Sequence, residues 1–259
     1  MALAGLKKII KPVYQEVKWR LIEMRLLLSQ AAAIPDYESM LVIAPHPDDE
    51  VIGLGGLLVE SIRAKKRIHV VYLTDGEKSL DDLEPSIVAG QRLALTRKVL
   101  SSLGLPESQT SRLHLPDGSI PHPGHVNHDA AVKQLEAILY EFRPDAVFVT
   151  HPLDTWPFDH VAAFELAVQA VRKSRLSCRL YGYWVWLRYS MPLNKIAVIC
   201  WNDIIKIPVD DVMAEKRKLL DLYLKPACAD GRSWSGELPD SMLKPFERPY
   251  EVVQRYIVS

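Results

Sequence analysis

Four short apolar segments, each followed directly by a polar cluster, constrain the fold of this 259-residue chain more than any other feature. Their length and composition are typical of buried strands. The segments are residues 40–44, 67–74, 111–115 and 146–150, and the clusters are residues 46–50, 74–77, 116–118 and 151–160. In a parallel sheet, ligands bind outside the carboxyl ends of the strands. The clusters therefore predict a functional site at that edge of the sheet.

Segments with the length and periodicity of helices lie between and after these strands. The predicted helices are residues 51–65, 86–103, 128–141, 159–172 and 210–224. Strands that alternate with helices predict an α/β fold with a mostly parallel, Rossmann-like sheet and helices on both faces. Residues 180–187 and 196–209 are expected to be strands of a small antiparallel C-terminal section. We expect one domain, 37–259, after an N-terminal segment, 1–36.

The charge and the cysteines of the chain limit its partners and its compartment. Lys plus Arg and Asp plus Glu number 32 each, whereas a dedicated nucleic-acid-binding protein has a basic excess, so we expect no nucleic-acid partner. Three widely spaced cysteines predict free thiols in a reducing cytoplasm. The sequence has neither an apolar run of ~18 residues nor a signal peptide, which also favours a cytoplasmic protein.

The N-terminal segment, residues 1–36, has the pattern of a basic amphipathic helix. Five apolar residues recur at helical spacing after Pro12, namely Val13, Val17, Leu21, Met24 and Leu28. Six basic and two acidic residues give the first 35 residues a net charge of about +4. Such a helix either packs on the domain or on a second subunit, or lies on an anionic membrane at the inner face. Pro35 is expected to end it.

The first polar cluster contains residues that suit a metal-dependent hydrolase. Zn²⁺ takes His and carboxylate ligands, and a catalytic zinc keeps one position open for water. His46 and Asp49 lie three residues apart across a strand-to-helix turn, so both can point into one site. Asp48 points elsewhere and is placed to take a proton from the water. In the alternative interpretation, Asp48 or Asp49 only caps the helix and His46 lies at the surface.

A third ligand should come from the end of another strand. The fourth cluster supplies His151 and His160, together with Asp154 and Asp159. His160 opens a predicted helix, as a ligand after a parallel strand would. Asp159 either orients a ligand histidine through a hydrogen bond or caps that helix. Two clusters of His and Asp at two strand ends of one sheet favour a shared metal site.

In four segments, taken in order, the sequence resembles the PIG-L/LmbE-like zinc de-N-acetylases. These segments are residues 44–50, 73–77, 115–118 and 143–160. At the matching positions of this sequence, the resemblance implies zinc ligands at His46, Asp49 and His160 and a general base at Asp48. It also implies that Arg92 and Asp117 contact the sugar or its phosphate-bearing aglycone. Known members deacetylate N-acetylglucosaminyl-phosphatidylinositol, mycothiol precursors and glycopeptide sugars.

The chain departs from the family pattern in three places. The glutamate that usually follows Arg92 on its helix is replaced by Leu95 or Thr96, and the N-terminal helix lies outside the shared core. The third departure is at Pro157. Pro157 stands where the family usually has a histidine that stabilises the oxyanion or protonates the leaving amine. His151, nine residues before His160, is the candidate to replace it.

The resemblance implies a hydrolase that removes the acetyl group from an N-acetylated amino sugar, either a small molecule or a lipid-linked or cell-envelope conjugate. Two alternatives stay open: a metal-dependent amidase with a non-sugar substrate, and a catalytically weak binding protein of the same fold. Fe²⁺ and Co²⁺ suit the same ligands as zinc. A homo-oligomer is compatible with the sequence.

Overall fold

The computed structural model describes residues 2–29, 36–238 and 240–258. Its centre is one seven-stranded sheet with the strand order β3-β2-β1-β4-β5-β7-β6. The strands are β1 Ser39–Ala44, β2 Arg67–Tyr72, β3 Thr110–Arg112, β4 Ala146–Thr150, β5 Arg179–Tyr183, β6 Ile204–Pro208 and β7 Tyr250–Tyr256. Strands β1 to β5 pair in parallel, while β7 pairs antiparallel with both β5 and β6. The predicted α/β class with a mostly parallel sheet is confirmed.

Helices cover both faces of the sheet. They are α1 Ala2–Leu28, α2 Asp49–Arg63, α3 Pro85–Leu103, α4 His128–Phe142, α5 Asp159–Ser174, α6 Leu187–Ser190, α7 Met213–Leu224 and α8 Asp240–Leu243. Successive residues of β1 point to opposite faces. Met40 and Val42 therefore pack with α2, α3 and α7, whereas Leu41 and Ile43 pack with α4 and α5. Because both faces are covered, every residue of β1 is buried.

The order of the strands determines where a site can form. From β1 the chain moves outward through β2 to β3, and it then returns to place β4 on the other side of β1. At such a reversal, the loops after the two central strands diverge and leave a crevice at their carboxyl ends. The loops after β1 and β4 border this crevice. They carry His46 and His160.

Three predicted strands differ from the structure. The segment predicted at 111–115 forms only β3, and the one at 180–187 ends at Tyr183 and continues into α6. In the segment predicted at 196–209, only β6 is a strand, and residues 196–198 and 201–203 lie in short 3₁₀ turns. The predicted antiparallel C-terminal section is formed by β6 and β7, which extend the main sheet at its edge.

The N-terminal helix ends at Leu28, before the predicted end at Pro35, and a different face packs on the domain. Helix α1 begins at Ala2, so Pro12 lies within it rather than in its first turn. Ile22 and Leu26 are fully buried against residues that include Trp184 and Met191. The predicted apolar stripe is exposed instead. Pro35 lies outside the described residues, and the division of the chain at residue 36 stays a prediction.

A buried ion pair supports a break within α2. Leu54 has non-helical angles, φ −137° and ψ 15°, so the helix starts again after it. The freed backbone N–H groups of Gly56 and Leu57 donate to the Glu251 carboxylate at 2.7 and 2.9 Å. Lys216 Nζ neutralises this carboxylate at 2.7 Å, and both side chains are 1% exposed. The pair therefore serves as the N-terminal cap of the second half of α2.

Candidate metal centre

The structure brings together the three residues predicted as metal ligands. One ligand atom each from His46, Asp49 and His160 lie within 4.8 Å of one another. Asp49 Oδ2 is 3.1 Å from His46 Nδ1 and 3.3 Å from His160 Nε2. His46 and Asp49 follow β1, whereas His160 lies in the first turn of α5, across the crevice. All three side chains are largely buried, as a defined metal site requires.

Carboxylates hold the remaining ring nitrogens of both histidines. Asp154 Oδ2 is 3.1 Å from His160 Nδ1, and this carboxylate also accepts the N–H of Trp186. Asp159 Oδ2 is 3.2 Å from His46 Nε2. Because each ring is held from behind, its other nitrogen points to the centre, which is how outer carboxylates orient metal-bound histidines. The sequence analysis did not predict this role for Asp154. The residue could be noticed in the sequence only because it lies in the fourth polar cluster.

Asp117 lies in the same network rather than at an open sugar-binding surface. Its Oδ1 is 3.2 Å from His46 Nε2, and its Oδ2 accepts the N–H of Lys78 at 2.7 Å. Asp159 accepts the N–H groups of Gly118 and Ile120, which ties the loop after β3 to the start of α5. Asp117 is 7% exposed, so its Oδ1 contacts His46 rather than solvent.

Asp48 has a backbone conformation that an aspartate rarely adopts. Its φ of 118° lies in the left-handed region, where a side chain costs free energy on the order of 1–3 kcal/mol. Glu50 Oε2 accepts the Asp48 N–H at 3.0 Å, and the hydroxyls of Tyr72 and Tyr223 donate to Glu50 Oε1 at 3.0 and 2.7 Å. This network, which sequence reasoning missed, holds Asp48 beside the metal ligands.

Arg92, for which the sequence predicts a substrate contact, is engaged by protein groups in the structure. It is 3% exposed, and its guanidinium donates to the carbonyl oxygens of Pro47 and Trp234 and to Asp48 Oδ2, the last at 3.2 Å. Its donors are thus directed at the turn that carries Asp48 and at the loop before α8. Burial raises the pKa of Asp48 to about 6, and the Arg92 charge opposes that shift. Arg92 therefore supports the ionised form of Asp48.

His151 is not brought to the metal centre. Its Nδ1 accepts the N–H of Leu153 at 3.0 Å, and its Nε2 lies 2.9 Å from both Gln254 Oε1 and Tyr256 Oη. Burial lowers the pKa of His151 to about 4, which favours a neutral ring. Since both nitrogens are engaged by structural partners, the geometry gives no support to its predicted role as acid or oxyanion donor.

The donor set fits a divalent cation. His160 Nε2 is buried and makes no hydrogen bond, although it faces the other two ligands. Burial alone would lower the pKa of both histidines, but the carboxylates outweigh it and raise the pKa of His160 to about 9 and that of His46 well above its usual value. The cluster therefore attracts positive charge at its centre, and His and Asp ligands suit Zn²⁺.

Replacing Asp154 by Asn is expected to weaken metal binding about 10–100-fold, because the amide no longer fixes the charge and orientation of the His160 ring. Competition with a zinc-sensitive chelator measures the affinity. The matched control is Asp129→Asn, a change at an exposed aspartate on α4, which should leave affinity unchanged. Equal affinities for the Asp154 variant and the wild type would contradict the role given to Asp154.

Comparisons with known proteins agree with this geometry. A family model described as PIG-L, GlcNAc-PI de-N-acetylase, matches residues 41–171, which is half of the chain. A diacetylchitobiose deacetylase of Thermococcus kodakarensis is 31% identical over 144 residues, which are 52% of this chain and 50% of that protein. The chain thus spans about half the length of this relative.

Two solved structures share the fold. The N,N'-diacetylchitobiose deacetylase of Pyrococcus horikoshii, in complex with its inhibitor MPG, aligns with a TM-score of 0.63 at 20% identity, covering 85% of this chain and 84% of that one. The 4-carboxy-2-hydroxymuconate hydratase GalB of Pseudomonas putida aligns with a TM-score of 0.60 at 14% identity, covering 84% and 95%. Since one is a deacetylase and the other a hydratase, the fold alone does not define a reaction.

Proposed function

Because the chain belongs to the PIG-L family of GlcNAc-PI de-N-acetylases, we propose that it is a metal-dependent hydrolase that removes the acetyl group from an N-acetylated amino sugar. One observation carries this proposal. His46, Asp49 and His160 converge on a single buried point, and Asp48 lies beside them with its carboxylate next to Arg92. A hydrolase needs both parts, a metal centre with protein ligands and a carboxylate that can accept a proton.

Zinc is the proposed metal, and Fe²⁺ and Co²⁺ suit the same ligands. The chemistry that such a metal supplies is Lewis acidity, which polarises an amide carbonyl and acidifies water at neutral pH. His46, Asp49 and His160 would hold it. Asp154 and Asp159 keep the two histidine rings oriented.

Asp48 is the proposed proton carrier. With a pKa raised by burial to about 6, its carboxylate is mainly ionised at neutral pH and can take a proton from the attacking water. The same oxygen can then return that proton to the departing amine, so that water and amide become acetate and a free amino sugar. Asp48 would thus also act as the general acid that protonates the leaving amine. His151 is not available for this step because Gln254 and Tyr256 hold its ring.

The proposed substrate is an N-acetylglucosamine conjugate, either free or lipid-linked. The name of the family model and the activity of the Thermococcus kodakarensis relative both support an N-acetylglucosamine unit. The test is release of a primary amine and of acetate from N,N'-diacetylchitobiose and from N-acetylglucosaminyl-phosphatidylinositol, with zinc-loaded wild type. Release from either supports the proposal, and metal-loaded protein that releases amine from neither would refute it.

A second candidate is a metal-dependent amidase with a non-sugar substrate. The observation in its favour is the departure at Pro157, since the residue that the family uses beside the reacting amide is missing from its usual position. An N-acetylated amino acid serves as the discriminating substrate. Acetate from this compound but not from the sugars would favour the amidase, and metal binding without turnover of any amide would favour a binding protein of the same fold.

A further inference from the structure

Helix α1 has an inner face that fixes it to the domain. Ile22 and Leu26 are fully buried beside Trp184. Lys18 is also buried, and its ammonium group donates to the carbonyl oxygens of Tyr189 and Met191 at the end of α6. These contacts satisfy the face of the helix that points to the sheet, so α1 needs no further partner to stay in place.

The outer face of α1 is apolar and has no partner among the described residues. Its exposed side chains are Val13, Val17, Leu21, Met24, Leu27 and Leu28. Leu27 and Leu28 are 78% and 76% exposed. Six exposed aliphatic side chains on one helix form a continuous apolar strip, a feature that marks interaction sites on soluble proteins. In the sequence, the same spacing continues toward the N-terminus through Leu3, Leu6 and Ile10.

The charge around this strip identifies the kind of partner. Helix α1 carries six basic and two acidic residues, with no acidic residue in its first turn. Arg20 and Arg25 are exposed, and Arg20 pairs with the exposed Glu16 at 2.8 Å. Glu23 is turned toward Arg188 and Arg248. An exposed apolar strip on a helix with a net charge of about +4 is the pattern of a helix that lies in the plane of an anionic membrane. We propose that the outer face of α1 docks on an anionic lipid surface.

A second copy of the chain fits this face less well. The coiled-coil spacing 13, 17, 20, 24 and 27 would form the seam, and Arg20 stands in the middle of it, where an apolar residue is needed. Two copies in parallel would also bring like charges together, which opposes pairing. None of the described helices is long and apolar enough to span a membrane. Contact in the plane of the surface is therefore the arrangement proposed for α1.

The inner face of α1 contacts a residue that packs beside Trp156. The carbonyl of Tyr189 accepts a hydrogen bond from Lys18, and the Tyr189 ring is 6.1 Å from that of Trp156. Trp156 is half-exposed and lies four residues before the ligand His160. Tryptophan side chains favour the boundary between lipid and water. The docking proposal does not depend on the proposed reaction.

Sedimentation with lipid vesicles tests the proposal. Full-length protein is mixed at low salt with vesicles of phosphatidylcholine, either alone or with about one quarter phosphatidylglycerol. Wild type should bind the anionic vesicles and not the neutral ones. Val17→Glu should reduce the bound fraction at least ~10-fold, because it places an anion in the apolar strip. The matched control is Ile87→Glu, a change at an equally exposed position on α3, which should bind like wild type.

Two results would overturn the docking proposal. The first is wild type that fails to sediment with anionic vesicles. The second is a wild-type dimer by light scattering that Val17→Glu converts to a monomer, which would identify a second copy as the occupant. Amine release from a soluble sugar is measured in parallel and should be equal in wild type and Val17→Glu. The vesicle result can therefore be interpreted even if the protein releases no amine in the deacetylation assay.

Discussion

Replacing Asp48 by Asn is expected to lower kcat about 10²–10⁴-fold while the protein keeps its metal, because a positioned general base contributes about that much to the rate. The amide cannot accept the proton of the attacking water, yet it preserves the size of the side chain beside Arg92. The three metal ligands are unchanged. Initial rates of amine release and elemental analysis of the same preparations measure both quantities.

Asp129→Asn provides the matched control for this variant, since Asp129 is an exposed aspartate that pairs with Lys173 at 3.2 Å. It should retain the wild-type rate. An Asp48 variant within about threefold of the wild-type rate would remove Asp48 from the reaction. Loss of metal together with activity would instead show that Asp48 supports the metal site.

Replacing Lys216 by Met is expected to lower the free energy of unfolding by about 3–5 kcal/mol, because it leaves the buried Glu251 carboxylate without its counter-charge. That carboxylate also caps the second half of α2 through Gly56 and Leu57. Urea unfolding, followed by circular dichroism, measures the difference.

The control for the Lys216 variant is Arg63→Met. Arg63 and Glu215 form an ion pair at 2.6 Å whose side chains are half-exposed, and exposed pairs contribute only about 0–1 kcal/mol. Equal losses in the two variants would contradict the role given to the buried pair. A further loss of metal in the Lys216 variant would extend that role from α2 to the ligands at its start.

The fold and the convergence of His46, Asp49 and His160 were largely predictable because both follow from patterns that are local in sequence. Buried parallel strands are continuous apolar runs, and β1 and β4 both show this pattern before a polar cluster. The turn after β1 places His46 and Asp49 together through their spacing alone. A prediction of the third ligand needs only the rule that strand ends meet at one edge of the sheet.

The direction of long side chains was not predictable in this way. Arg92 lies on a helix face, and only the tertiary structure shows that its guanidinium is buried under Asp48. His151 follows β4 as predicted, but β7, a strand more than 90 residues later, supplies Gln254 and Tyr256, which engage its ring. The role of Asp154 likewise depends on the rotamer of His160. Tertiary packing, and not the spacing of residues in the sequence, determines the positions of these three side chains.

Helix α1 shows the same limit for amphipathic patterns. The periodicity predicted a helix, but its most apolar stripe is exposed, and the face that packs on the domain includes Lys18. A lysine can be buried there because two carbonyl oxygens at the end of α6 accept its protons. Such an acceptor pair is created by the fold and has no signature in the sequence of α1.

The central claim is that the protein is a metal-dependent deacetylase. Adding zinc in steps to protein from which a chelator has removed the metal tests this claim most directly. The protein is stripped of metal, zinc is added in steps, and amine release from an N-acetylglucosamine conjugate is measured at each step, with Asp49→Ala in parallel. The account predicts that wild-type activity rises linearly to a plateau at about one zinc per chain and that Asp49→Ala stays inactive. Full activity after complete chelation, or no binding of metal by the wild type, would contradict it.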